Sequence, residues 1–268
     1  MELLGYLAAI VMGLSLGMIG GGGSILTVPI LVYLFQIDPI ISTAYSLFIV
    51  GLTALAGGAV YYKKGEVDLK TGFTFAVPSF IGVYLTRAYV VPSLPDPVFT
   101  LASWPISKAL LIMLVFAILM VAASISMIRS GNKPTVQAKQ LTTAQRVVLI
   151  SIEGLVVGGI TGFVGAGGGF LIIPALVLLV GLPMKIAVGT SLFIIAAKSL
   201  FGFIGDLQRH TDMDWKLLLT LSAIAILGLF VGTRLSTKVP EKSLKKGFGY
   251  FVLIMGTLIL IDQLRKMS

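Results

Sequence analysis

Gly17-Met-Ile-Gly-Gly-Gly-Gly-Ser-Ile-Leu-Thr-Val-Pro29 is the stretch of sequence that decides the fold, because it recurs 145 residues later as Gly162-Phe-Val-Gly-Ala-Gly-Gly-Gly-Phe-Leu-Ile-Ile-Pro174. The same offset aligns Ser46–Ile49 with Ser191–Ile194. A match that continues without a gap for about forty residues indicates an internal repeat. The chain is therefore interpreted as two related halves.

The composition places both halves in a lipid bilayer. Of the 268 residues, 57% are hydrophobic and 12% are charged, and the mean hydropathy is +1.03. A soluble domain carries about 25% charged residues. Apolar runs long enough to span a membrane recur from end to end, so we predict a multi-pass protein with lipid as its surroundings. The net charge of +9 lies in short loops, which indicates topology signalling and not nucleic-acid binding.

The predicted fold is an all-α membrane protein of two inverted repeats, 1–130 and 146–268, joined by a cytoplasmic linker, 131–145. Each half contains five apolar segments, and the second segment is short and preceded by a glycine-rich break. An odd number of crossings per half places thirteen of the twenty Lys and Arg residues on the side of the linker and six on the other. The positive-inside rule then predicts that both termini lie outside.

The glycine-rich breaks are the predicted substrate site. Irregular backbone inside a membrane is tolerated where it lines a cavity, and the free N–H groups and positive dipole at the start of a helix attract anions. Matching breaks in two inverted halves are typical of the central site of a transporter. Close packing of helices through small residues is the alternative explanation. The residues assigned to the site are Gly20, Gly22, Gly23, Ser24, Gly165, Gly167, Gly168 and Gly169.

Four side chains are added to this predicted site. Lys198 lies well inside an apolar segment, where an unpaired cation is costly and therefore indicates a function. Its match in the first half is Thr53, so the cation is present once. Snorkelling, or an ion pair with Glu153, is the alternative. Hydroxyls at matching places after each short segment could face the same cavity; they belong to Ser46, Thr190 and Ser191.

Three charged residues are candidates for coupling or gating. Glu153 is a second charge within an apolar segment, suited to carrying a proton or to pairing with Lys198. Arg87 and Arg234 stand at matching places near the ends of the fourth segments. Their guanidinium groups suit oxyanions, but anchoring at the membrane interface is the favoured explanation for both. The single histidine, His210, is expected on a solvated loop.

The paired glycine motifs, each with a proline six residues past the last shared glycine, and the repeated Ser-Leu-Phe resemble the TauE/SafE family of sulfite exporters. The resemblance covers nearly the whole chain. It implies transport of sulfite, a sulfonate or a related sulfur oxyanion across the plasma membrane of a prokaryote. Two departures, Ala166 in place of a glycine and Ser24 opposite Gly169, imply that the two halves of the site are unequal.

The function predicted from these features is alternating-access transport of a small anion, with no cofactor and no metal. A channel would use the same cavity, and a transporter of a cation or a neutral solute is a further alternative. An intramembrane enzyme is excluded, because there is no cysteine, one histidine and no second carboxylate near Glu153. Oligomeric state and coupling ion are left open by the sequence.

Overall fold

The computed structural model describes residues 2–101, 104–129, 143–165, 167–178, 180–207, 213–236 and 241–265. The first half forms five helical segments in the order that the apolar pattern predicts. A short antiparallel hairpin, which the sequence did not predict, follows the fourth segment. The elements of this half are α1 (Glu2–Ile19), α2 (Gly21–Leu34), α3 (Pro39–Lys63), α4 (Leu69–Ser93), β1 (Phe99–Leu101), β2 (Trp104–Ile106) and α5 (Lys108–Arg129).

The second half repeats the series of five helices. Its second helix is again the shortest, with 10 residues. The elements are α6 (Thr143–Val164), α7 (Gly169–Leu178), α8 (Met184–Leu207), α9 (Trp215–Leu235) and α10 (Glu241–Arg265). Most of the predicted linker, 131–145, and His210 lie outside the described residues.

The chain is a multi-pass membrane protein. Within the described ranges, six helices are long and apolar enough to cross a bilayer, and α1 and α2 are apolar but shorter. Large apolar side chains are exposed along these helices, among them Leu227, Ile118 and Ile254. Exposed apolar surface on this scale suits lipid and would aggregate in water. The prediction of a helical membrane protein is confirmed, with the β1–β2 hairpin as a small addition.

Helices of one half pack mainly against helices of the other half. Helix α1 lies along α9, and the matching helix α6 lies along α4. Helix α3 packs against its own match α8, and α5 packs against α10. Exchanging the two halves leaves this pattern of contacts unchanged, so neither half could form its core without the other.

Glycines allow the α1–α9 and α6–α4 pairs to approach closely. A Cβ added to Gly13 or Gly17 would collide with the backbone of α9, and one added to Gly158 or Gly162 would collide with the backbone of α4. These are the same two positions in each half, four residues apart and 145 residues apart between halves. Small residues at this spacing are the usual contact of packed membrane helices.

Matched aspartates begin the fourth helix of each half. The Asp68 carboxylate accepts from the Thr71 amide at 3.2 Å, and the Asp214 carboxylate accepts from the Leu217 amide at 2.9 Å. Aspartate is a preferred residue at the start of a helix because it satisfies amides that have no partner inside the helix. The alignment of Asp68 with Asp214 in the repeat therefore marks the same helix boundary twice.

Candidate functional site: two glycine loops beside a buried lysine

Both glycine loops are buried and irregular. Gly20 and Gly165, at the end of the first helix in each half, have φ angles of 78° and 74°. Gly167 and Gly168 also have positive φ, at 64° and 71°. Residues with a Cβ adopt this conformation only at a cost, so glycine is required for the chain to turn here. The predicted breaks before the short helices are therefore present in the backbone.

The two loops lie against each other. The backbones of Gly21 and Gly169 are so close that a Cβ on either would collide with the other. A Cβ on Gly167 would lie 3.3 Å from Cβ of Ser24 and 2.6 Å from Val50. Residues from both halves thus surround one buried region, which helices α3 and α8 flank through Val50 and Ile195.

Lys198 stands beside the second loop. Its side chain is 1% exposed, and its ammonium donates to the Thr161 hydroxyl at 2.8 Å. A Cβ added to Gly168 would lie 2.6 Å from Lys198 Nζ. Within the described part of the chain, no carboxylate forms an ion pair with this ammonium. A buried positive charge therefore lies beside the backbone at which α7 begins.

Two of the three serines of the predicted site, Ser24 and Ser191, lie at the glycine loops. Ser191 Oγ is 3.2 Å from the position of a Cβ on Gly20, and it donates to the Val188 carbonyl at 2.8 Å. Ser24 donates to the Gly21 carbonyl at 2.7 Å. Ser46 is fully buried, and its Oγ has no hydrogen-bond partner among the residues that the structure describes. Its hydroxyl is the one of these three that is available to a ligand as it stands.

Thr190 has a structural contact instead. Its hydroxyl accepts from the Asp68 amide at 2.9 Å, at the start of α4. Its match in the repeat, Tyr45, accepts from the Asp214 amide at 2.7 Å, at the start of α9. The two halves thus use the same position to hold the beginning of the fourth helix of the other half. This contact explains the polar residue at 190 without a ligand.

Glu153 and Arg234 lie apart from the loops. Glu153 is half-buried on α6, and its Oε2 has no hydrogen-bond partner among the described residues. It stands eight residues before Thr161, about 12 Å along the helix. The suggested ion pair with Lys198 is not formed. Arg234 is exposed near the end of α9, in agreement with a place at the membrane interface.

Arg87 is buried, so its expected place at the interface is wrong. The residue is 2% exposed, and its Nε and Nη2 donate to Asp206 Oδ2 at 2.8 and 2.6 Å. Its Nη1 donates to the Thr43 hydroxyl at 2.7 Å and to the Gly162 carbonyl at 3.4 Å. Sequence reasoning missed Asp206, although an acidic residue eight positions after Lys198 in the same apolar segment was the available signal.

A cavity of about 300 Å³ lies away from the loops, between α3 and α8 on the outer surface. Its lining is apolar and includes Leu55, Phe193, Phe201 and Ile204. The side chains of Leu55 and Phe201 are about half exposed. This cavity suits a lipid chain and offers nothing to an anion.

A helical membrane protein with two matched chain breaks in contact, and a buried cation beside them, has the architecture of a membrane transporter. The family model of the sulfite exporters TauE/SafE matches residues 5–259. The chain belongs to this family.

Several relatives cover almost the whole chain. A probable membrane transporter protein of Xylella fastidiosa (strain 9a5c) is 31% identical over 92% of this chain and 90% of its own length. The probable membrane transporter protein YunE of Bacillus subtilis (strain 168) is 27% identical over 97% and 98%. A probable membrane transporter protein of Haemophilus influenzae is 26% identical over 94% and 96%. No solved structure matches the chain.

Proposed function

We propose that this protein is a secondary transporter of a small sulfur oxyanion, sulfite or an organic sulfonate, and that the anion binds between the two glycine loops. The single observation that carries the proposal is the buried ammonium of Lys198 beside the Gly168 backbone, without a carboxylate partner among the described residues. An anion is the ligand that such a charge requires, because hydrocarbon and neutral hydroxyls do not balance it.

The backbone supports the same ligand. Gly168 and Gly169 stand at the start of α7, where amides have no partner inside the helix and the helix dipole is positive. A cation beside a positive helix end is repulsive in the empty protein. An oxyanion between them turns both contacts into attraction and accepts several hydrogen bonds at once. The Ser46 hydroxyl would donate one more.

The proposed movement of the two halves follows from the symmetric packing between them. Each half packs its first helix on the fourth helix of the other, so two related arrangements of the same contacts are available. In the proposed cycle the halves have opposite orientation, with the linker inside and both termini outside. Exchange of conformation between the halves would open the site first to one side and then to the other. The family and the prokaryotic relatives support the plasma membrane as the location.

Uptake into proteoliposomes tests the proposal. The purified protein is expected to move labelled sulfite and the sulfonate isethionate. Replacing Lys198 with Met removes the charge and keeps the length of the side chain, and we expect substrate affinity to fall about 10- to 100-fold, since hydrogen bonds to charged groups contribute about 1.5–3 kcal/mol. Lys216→Met, at an exposed lysine at the start of α9, is the matched control and is expected to retain wild-type affinity.

Two outcomes would count against this function. Equal affinity in Lys198→Met and wild type would remove the lysine from the site. Preference for a cation or a neutral solute in the same assay would overturn the choice of substrate class. Vesicles preloaded with unlabelled substrate separate a transporter from a channel, because counterflow accelerates the entry of label only if the site closes on one side before it opens on the other.

A further inference from the structure

The side chains around the two glycine loops differ in polarity at matching positions. A Cβ added to Gly168 of the second loop would collide with the side chain of Thr161, whose hydroxyl accepts from the Lys198 ammonium at 2.8 Å. A Cβ added to Gly23, the match of Gly168, would collide with the backbone of Leu16. Leu16 stands 145 residues before Thr161 and is fully buried. A polar residue at the second loop therefore corresponds to an apolar residue at the first.

The same change occurs at the glycine that begins each loop. A Cβ added to Gly165 would collide with Thr43. A Cβ added to Gly20 would lie 3.0 Å from Val188 Cγ1 and 3.1 Å from Ile173 Cδ1. Val188 stands 145 residues after Thr43, and both are buried. The first loop therefore packs against methyl groups where the second loop packs against a residue that carries a hydroxyl.

Two hydroxyls on the side of the first loop are already bonded within their own helix. Thr53, the match of Lys198, donates to the Ile49 carbonyl at 2.6 Å. Ser191 at the first loop donates to the Val188 carbonyl at 2.8 Å. A hydroxyl has one proton to donate, so neither residue donates to a ligand as it stands. Neither supplies what Lys198 supplies in the second half, which is a charged donor beside the loop.

Charged residues on the side of the first loop lie at the ends of helices. Lys64 follows α3 and is exposed, Glu66 is partly buried in the turn, and Asp68 caps α4. The Lys64 ammonium lies 5.3 Å from the centroid of the Tyr61 ring. The atoms nearest to an added Cβ at either end of the first loop belong instead to uncharged residues. Thr27 on α2 adds a buried hydroxyl, which is also uncharged.

An oxyanion held beside Lys198 thus meets different surroundings on its two sides. A ligand oxygen that faced Leu16 or Val188 would lose its hydration without gaining a donor, which is costly. A carbon atom attached to the acidic group suits these side chains, because burial of apolar surface requires no hydrogen bond. An ionised group in the same place would face neighbours that do not balance its charge.

We propose that the preferred substrate is a short sulfonate whose organic group is uncharged. Its acidic group binds between Lys198 and the start of α7. Its organic group lies against the first loop, on the side of Leu16 and Val188. The two loops therefore divide the ligand between them, one taking the charge and the other taking the tail. This inference rests on the proposed function and specifies its substrate class.

A series of sulfonates tests the inference on the purified wild type. Ethanesulfonate is expected to bind about fourfold more tightly than methanesulfonate, because it buries one more methylene group. Isethionate, with an uncharged hydroxyl, should bind with an affinity between those of ethanesulfonate and the sulfonates with charged tails. The charged tails of 2-aminoethanesulfonate and sulfoacetate should weaken binding about 100-fold relative to ethanesulfonate. All five sulfonates share one acidic group, so the equilibrium affinities compare the tails alone.

A matched pair of variants tests the orientation of the ligand. Val188→Asp places a carboxylate near Gly20, where it would pair with the ammonium of 2-aminoethanesulfonate. We expect this variant to bind 2-aminoethanesulfonate about tenfold more tightly than the wild type does, and ethanesulfonate more weakly. Thr43→Asp, at the matching position beside Gly165, is expected to give no such gain. A gain in Thr43→Asp and not in Val188→Asp would reverse the orientation and overturn the inference.

The ligand series needs no variant, so it decides the matter even if Val188→Asp does not fold. Equal affinities for all five sulfonates, or tighter binding of either charged tail, would overturn the inference and leave the proposed function in place. So would a wild type that binds sulfite and none of the sulfonates. A wild type that binds neither sulfite nor any sulfonate would overturn the proposed function itself.

Discussion

Beside the second glycine loop, α8 places the ammonium of Lys198, whereas at the matching position of the first half α3 carries Thr53, whose hydroxyl donates to the Ile49 carbonyl of its own helix. The backbone breaks, the helix contacts and the glycines between helices are duplicated. The charge is not. A similar difference separates the Gly162 carbonyl, which accepts from the buried Arg87 guanidinium, from the matching Gly17 carbonyl, which accepts from the Tyr61 hydroxyl. The repeated residues thus form the scaffold, and the unrepeated residues make its two halves differ in charge.

The largest expected effect on stability is the difference between substitutions at the two matched arginines, Arg87 and Arg234. Arg87→Gln removes the guanidinium from the buried ion pair with Asp206, and removing one partner of a buried ion pair costs about 3–5 kcal/mol. Arg234→Gln, at an exposed position, should change stability by less than about 0.5 kcal/mol. Thermal unfolding of both variants in the same detergent measures the difference. Equal losses would mean that the buried ion pair of Arg87 stabilises the protein no more than the exposed Arg234 does.

Substitutions at the duplicated glycines are expected to lower stability by a smaller amount, which is similar in the two halves. Gly158→Ala places a methyl group against the backbone of Ser79, and Gly13→Ala places one against the backbone of Ala225. Overpacking of this kind costs about 1–3 kcal/mol. Both variants should therefore lower the melting temperature by similar amounts. Gly65→Ala, at a turn where an added Cβ meets nothing, controls for the loss of glycine at a positive φ, where a modest strain is expected.

The smallest effect tests whether Thr190 holds the start of α4 or also contacts the substrate. Thr190→Val removes the acceptor of the Asp68 amide, and Tyr45→Phe removes the acceptor of the Asp214 amide. Each should lower stability by about 1 kcal/mol. Substrate affinity should stay at the wild-type value in both. A loss of affinity in Thr190→Val alone would return this residue to the site.

The helices and the breaks were predictable from the sequence because both depend on local features. Apolar length predicts the helices, and runs of glycine predict irregular backbone at Gly20 and Gly165. Lys198 was also found, since a cation within an apolar segment is conspicuous. The burial of Arg87 was not predictable from its position near a helix end. Its depth depends on Asp206, 119 residues away in the other half, and only packing of the two halves brings them together.

The β1–β2 hairpin and the contact of Thr190 with the start of α4 were missed for related reasons. Phe99–Leu101 and Trp104–Ile106 are three-residue strands without an extended alternating pattern. Thr190 belongs to the repeated motif, and the sequence alone does not distinguish a hydroxyl that holds a helix start from one that faces a ligand. Both are polar groups at matching positions, and the distinction is a matter of which partner lies within 3 Å.

Moving the charge from one half to the other tests the central claim most directly. The measurement is the equilibrium affinity of the purified protein for sulfite in the wild type, in Lys198→Thr, and in the double variant Thr53→Lys with Lys198→Thr. If the glycine loops of both halves surround one anion, the single variant loses affinity and the double variant regains a substantial part of it. Unchanged affinity in Lys198→Thr would contradict the account, because the anion would then bind without the buried ammonium.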